Sequence, residues 1–140
     1  MKNEKSNLIL YSTVVVAALG YFVDIYDLLL FGIIRVESLK ALGVADATKV
    51  GLLLMNWQMA GLLIGGIAWG ILGDKKGRLS VLFGSIVLYS LANIANGFVQ
   101  TVDQYIVLRF VAGIGLAGEL GAGITLVSEI MSKEKRGIGT

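Results

Sequence analysis

The sequence predicts an all-α membrane protein of four antiparallel transmembrane helices. Three observations carry that expectation. Hydrophobic residues make up 56% of the 140 positions, charged residues only 16%, and the mean hydropathy is +0.79. A soluble domain carries roughly 25% charge and mixes apolar with polar residues throughout. Here the apolar residues gather into four long runs divided by short polar stretches, which points to a bilayer as solvent. Outer-membrane strands would need alternating segments of about ten residues, and the sequence has none.

The elements follow in order. Residues 1–7 form a polar N-terminus with Lys2 and Lys5, and the first helix is expected over 8–34, interrupted by Asp24 and Asp27. The second helix is expected over 50–72, a charged turn over 73–78, the third helix over 79–99 and the fourth over 104–131, with a tail at 132–140. Each run exceeds the roughly 20 helical residues that cross a hydrocarbon core of about 30 Å. The first run is longer than the apolar part of a signal peptide, and two aspartates stand where a cleavage site would be. Lys2, Lys5, Lys75, Lys76, Arg78, Lys133, Lys135 and Arg136 fall on one side, against Arg35, Lys40 and Lys49 on the other. That bias places both termini in the cytoplasm and the chain in the inner (plasma) membrane.

Several function classes drop out. The chain has no Cys and no His, which removes disulfides, thiolate chemistry, most zinc sites and the usual general base. No metal, cofactor or enzymatic activity is therefore expected. A net charge of +2, dispersed along the chain, gives no basic face for nucleic acid. Gly113-Ile114-Gly115-Leu116-Ala117-Gly118 matches G-x-G-x-x-G by letter, but it lies inside a membrane-length run with no strand before it. It is not a dinucleotide site.

The 19 glycines need a reason in a helical protein. Gly66, Gly70, Gly73 and Gly77 recur along one face of the second helix, Gly61 and Gly65 form another GxxxG pair, and Gly113, Ala117 and Gly121 repeat in the fourth. Small residues at this spacing let helix backbones approach closely in lipid.

The ionisable residues within the runs carry the most information. Each costs on the order of 2.5–3.5 kcal/mol at the bilayer centre, so such residues face a bundle interior or an aqueous cavity. Asp24 and Asp27 share a helix face. Asp27 lies seven residues from Ile34 and Arg109 six from Asp103, so both sit about 10 Å below the outer boundary, at a depth that allows an ion pair. Asn56 and Gln58 lie near that level and complete a polar belt. Glu119 is deeper, near mid-membrane, where a carboxyl group suits reversible protonation. The structural alternative for these charges is a salt bridge that fixes helix register. Asn93 and Asn96 read as interhelical hydrogen-bonding groups.

At Gly70–Arg78 a specific resemblance appears. The stretch resembles the signature loop between the second and third helices of the major facilitator superfamily: Gly, x, Leu, a small residue, Asp, a basic residue, x, Gly, Arg and a further basic residue. Gly70, Leu72, Gly73, Asp74, Lys75, Gly77 and Arg78 match, and Leu79 departs. Arg109-Phe110-Val111-Ala112-Gly113-Ile114-Gly115-Leu116-Ala117-Gly118-Glu119, then Ser128-Glu129-Ile130 and Lys135-Arg136-Gly137, resemble the fourth helix of the metabolite:proton symporter and sugar porter branch, with Ser132 where a proline is usual. Asp24-Ile25-Tyr26-Asp27 is similar to the first helix of acid and sugar symporters.

The resemblance implies the first part of the N-terminal six-helix half of a twelve-helix secondary transporter. Such a protein moves a small polar metabolite, a sugar or organic acid, with proton coupling and by alternating access. Asp24, Asp27, Asn56, Gln58, Arg109 and Glu119 are the expected coupling and substrate residues. Gly70, Gly73, Asp74, Gly77 and Arg78 are expected to join Glu129 and Arg136 in a cytoplasmic gate. The implied partners are the lipid bilayer, the metabolite, protons and transporter helices absent from this chain. Four helices are a third of twelve, so the chain is expected to be a fragment, either a cut piece or a short reading frame, that does not transport alone. The alternative is a small helical membrane scaffold or interaction protein, which needs the glycine faces but not Asp27, Arg109 and Glu119.

Overall fold

The computed structural model describes residues 2–130, apart from the side chains in the first turns of the first helix and the last turn of the fourth. Four α-helices account for nearly all of it: α1 (Lys2–Ala41), α2 (Ala47–Lys76), α3 (Arg78–Asn96) and α4 (Val102–Ile130). Among the described residues, α2, α3 and α4 are each long and apolar enough to cross a bilayer. The apolar run of α1 begins in the turns whose side chains are not described. The chain is an integral membrane protein of all-α class.

Two helices run further than their apolar content predicts. α1 continues past Ile34 through Arg35–Ala41 and stops at Gly43, whose φ is 76°. Val44 N–H donates to Leu39 O and Gly43 N–H to Lys40 O, the paired bonds of a glycine-terminated helix. α2 starts at an Asp46 cap that accepts from Lys49 N–H at 3.2 Å. It then runs through the charged stretch to Lys76, so the expected turn at 73–78 narrows to Gly77 alone.

Gly77 has φ 90° and ψ 149°, a region essentially reserved for glycine. Gly77→Ala is expected to cost about 1–3 kcal/mol. The check is the melting temperature of the detergent-solubilised protein, and an unchanged value would mean that the turn relaxes without strain.

α4 is the hub. Its main contacts are with α2 and α3, while α1 touches α2 and α4 more sparingly. The reason is close backbone approach at glycine. A Cβ on Gly61 would land on the Phe110 carbonyl, and one on Gly113 would land on the Gln58 carbonyl. A Cβ on Gly65 would sit 2.7 Å from Ile114 Cα, and one on Gly115 2.7 Å from Tyr89 N. Trp69 of α2 donates from Nε1 to Ile114 O at 2.7 Å and fits where Gly118 lacks a side chain.

The packed glycines are therefore the Gly61/Gly65 pair and, in α4, Gly113, Gly115 and Gly118. A Cβ on Gly66, Gly70 or Gly121 would meet no side chain and no other helix within 4 Å. One residue of helix is a 100° rotation, so Gly65 and Gly66 cannot share a partner. Apolar side chains outside these contacts stay exposed, Leu63 at 68% and Ile33 at 75%, as lipid-facing residues do.

Candidate functional site

Between α1, α3 and α4 lies a cavity of about 460 Å³ lined by Asp27, Ile34, Asn93, Asn96, Tyr105 and Arg109, among others. Two of the expected site residues, Asp27 and Arg109, thus face one space. They do not form the expected ion pair: the only ion pairs among the described residues are Lys40–Glu37 and Arg78–Asp74.

Each has other neighbours. Asp27 Oδ2 accepts from Tyr89 Oη at 2.7 Å and, at a long 3.4 Å, from Asn93 Nδ2. Arg109 is 6% exposed, its guanidinium carbon 3.6 Å from the centre of the Phe31 ring and 5.7 Å from that of Tyr105. The two rings meet edge to face at 6.0 Å. This is cation–π seating, which holds the guanidinium plane without neutralising its charge. Nε and Nη1 have no hydrogen-bond partner. Equal depth placed Asp27 and Arg109 at one level; azimuth turned them to different partners.

The remaining expected residues divide. Asp24 is 2% exposed, with Oδ2 unpartnered, and its electrostatic neighbours are Glu119 and Asp27. Glu119 reaches α1 across Gly20: its Oε1 is 3.2 Å from where a Gly20 Cβ would stand, one helical turn from Asp24. Gln58 is buried with Nε2 unpartnered. Asn56 is exposed and does not join the belt, because residues two apart on a helix point to nearly opposite sides.

At the other end of the helices Arg78 donates to Asp74 at 2.9 Å, one turn apart. The bare Gly73 gives the guanidinium room, since Arg78 Nη1 lies 3.0 Å from where its Cβ would stand. The side chain of Glu129 and all of Arg136 lie outside the described residues.

Sequence reasoning missed Phe31, Tyr89 and Tyr105. A signal existed: Phe31 follows Asp27 by four residues, Tyr105 precedes Arg109 by four, and such pairs share a helix face.

The family model described as Major Facilitator Superfamily matches residues 10–140. The chain is 29% identical to a niacin transporter of Acinetobacter baylyi over 127 residues, which cover 91% of this chain and 28% of that protein. It is 32% identical to an inorganic phosphate transporter of Oryza sativa subsp. japonica, over 91% of this chain and 27% of that protein. A 4-hydroxybenzoate transporter of Pseudomonas putida is 30% identical over 85% of this chain and 26% of its own length. The chain spans about a quarter of the length of these curated relatives.

Proposed function

Because this chain belongs to the major facilitator superfamily, we propose that it forms the opening helices of the N-terminal half of a secondary carrier for a small organic acid. The observation that carries the proposal is Arg109, a buried residue that lines the cavity and makes no ion pair among the described residues. A buried cation that shares its cavity with Asp27 but makes no ion pair with it is further stabilised by an anion that reaches it. The relatives support the choice of acid over sugar, being named for niacin, phosphate and 4-hydroxybenzoate.

In this reading transport is proton-coupled. Asp24 and Glu119 approach across α1 and α4, and Asp27 sits beside the substrate cavity. Carboxyl groups in a membrane interior that make no ion pair are natural proton carriers. Access alternates as two halves rock about the cavity. Asp74 and Arg78 serve the cytoplasmic gate with Glu129 and Arg136, and both termini face the cytoplasm of the inner membrane.

The experiment is uptake by the full-length carrier in proteoliposomes, with Asp27→Asn as the probe. Asparagine keeps an oxygen for Tyr89 and removes the ionisable group. Proton-driven accumulation of substrate is expected to fall at least tenfold, while exchange of substrate across the membrane persists. Unchanged accumulation would remove Asp27 from coupling. Absence of any transport by the wild type would favour a scaffold.

A further inference from the structure

Among the described residues two side chains hydrogen-bond Asp27, and they differ in where they stand. Asn93 lines the cavity and reaches Oδ2 only at 3.4 Å. Tyr89 is buried, lies outside the cavity lining, and donates from Oη to the same oxygen at 2.7 Å. The two stand four apart on α3 and share a face. A molecule in the cavity therefore meets Asp27 and not the tyrosine behind it.

Tyr89 is itself held still. α3 crosses α4 so closely here that a Cβ on Gly115 would lie 2.7 Å from Tyr89 N and 2.9 Å from Tyr89 Cα. Its side chain packs with Ala92, Ala112 and Leu116, and Leu28 of α1 rests against that cluster. With the backbone fixed, two side-chain torsions place the hydroxyl. α1, by contrast, meets α3 only sparsely. The hydroxyl is thus a fixed point on a close-packed helix pair, and Asp27 belongs to the more loosely packed helix.

We propose that Tyr89 is the positioning residue for the coupling carboxylate: its hydroxyl holds Asp27 at the cavity wall in both protonation states and so ties substrate movement to the proton. The role rests on the carrier reading above, in which Asp27 takes up a proton. A phenol donates to the ionised carboxylate, and when Asp27 gains a proton the same oxygen turns to accept from the new O–H. The tyrosine keeps its own proton throughout; only the direction of the bond changes. The amide nitrogen of Asn93 carries donors alone and cannot make that exchange. The other titratable groups around Asp27 are Asp24 on α1, with Glu119 beyond it, and Arg109 and Tyr105 across the cavity on α4. None of them forms a hydrogen bond or ion pair with it.

The test uses the full-length carrier in proteoliposomes, with radiolabelled benzoate, nicotinate and inorganic phosphate as probes. Tyr89→Phe keeps the ring and removes the hydroxyl. Proton-driven accumulation is expected to fall about fivefold, while exchange of the same probe and its KM stay as in the wild type. Tyr89→Phe combined with Asp27→Asn should accumulate no less than Asp27→Asn alone, because the tyrosine acts through that carboxylate. A hydroxyl that merely docked α1 would slow exchange as well, and its loss would add to that of Asp27. Losses that add, or wild-type accumulation in Tyr89→Phe, overturn the proposal and leave the carrier reading standing. If Tyr89→Phe fails to elute as a single species, infrared difference spectra of protein with ring-labelled tyrosine take its place. Acidification should shift a tyrosine C–O band in the wild type that stays unmoved in Asp27→Asn, and the same response in both overturns the proposal. Unchanged accumulation in Asp27→Asn removes Asp27 from coupling and this inference with it. Transport of none of the probes by the wild type overturns the carrier reading and this inference together.

Discussion

Gly113→Leu is expected to separate α2 from α4 and destabilise the protein by about 3 kcal/mol or more. Even a Cβ at this position would land on the Gln58 carbonyl, and backbone cannot swing aside as a side chain can. The reciprocal contact, Gly61 against the Phe110 carbonyl, lies on the same crossing and leaves α4 no direction in which to yield. In detergent micelles the melting temperature should drop by on the order of 10 °C. Gly121→Leu is the control, because a Cβ there would meet no side chain and no other helix within 4 Å, and its effect should stay within about 0.5 kcal/mol. Equal melting of the two variants would mean that the crossing is not where the helices are held.

Arg109→Met is expected to reduce uptake by the full-length carrier at least about a hundredfold, the scale seen when one member of a buried charge pair is removed. The loss should appear mainly as a raised KM, since the guanidinium is assigned to substrate binding. Arg109→Lys should recover little. A lysine ammonium keeps the charge but loses the planar fork and the stacking on Phe31. Full activity in the lysine variant would show that charge alone suffices there, and full activity in the methionine variant would remove Arg109 from the site.

Much of this arrangement is legible in the sequence, and the limits have physical causes. Apolar runs report where lipid contact occurs, so they find all four helices but not their polar extensions. α1 runs to Ala41 because Gly43 supplies the left-handed stop; nothing in hydropathy marks that end, whereas the glycine does. The turn between α2 and α3 looks six residues long by charge and is one residue long in space, since Asp74 and Arg78 pair as helical neighbours. Within the site, position along the chain gives depth, and depth correctly brings Asp27 and Arg109 to one cavity. Azimuth decides contact, and azimuth separates Asn56 from Gln58 and gives Asp27 to Tyr89. Phe31, Tyr89 and Tyr105 went unnoticed because an aromatic residue in an apolar run looks like lipid-facing bulk until its polar neighbour is counted one turn away.

The dominance of α4 in the packing has a consequence for biogenesis. Chains enter the membrane N-terminus first, so α1, α2 and α3 emerge before the helix that makes most of their contacts. Until α4 arrives, the glycines at 61 and 65 have no backbone to meet, and Asp27 lines only a partial cavity. α4 then brings Arg109 into a space whose aromatic seat, Phe31, is already waiting on α1. The fourth helix to be inserted is the one that locks the three before it, and Arg109 enters where Phe31 already stands.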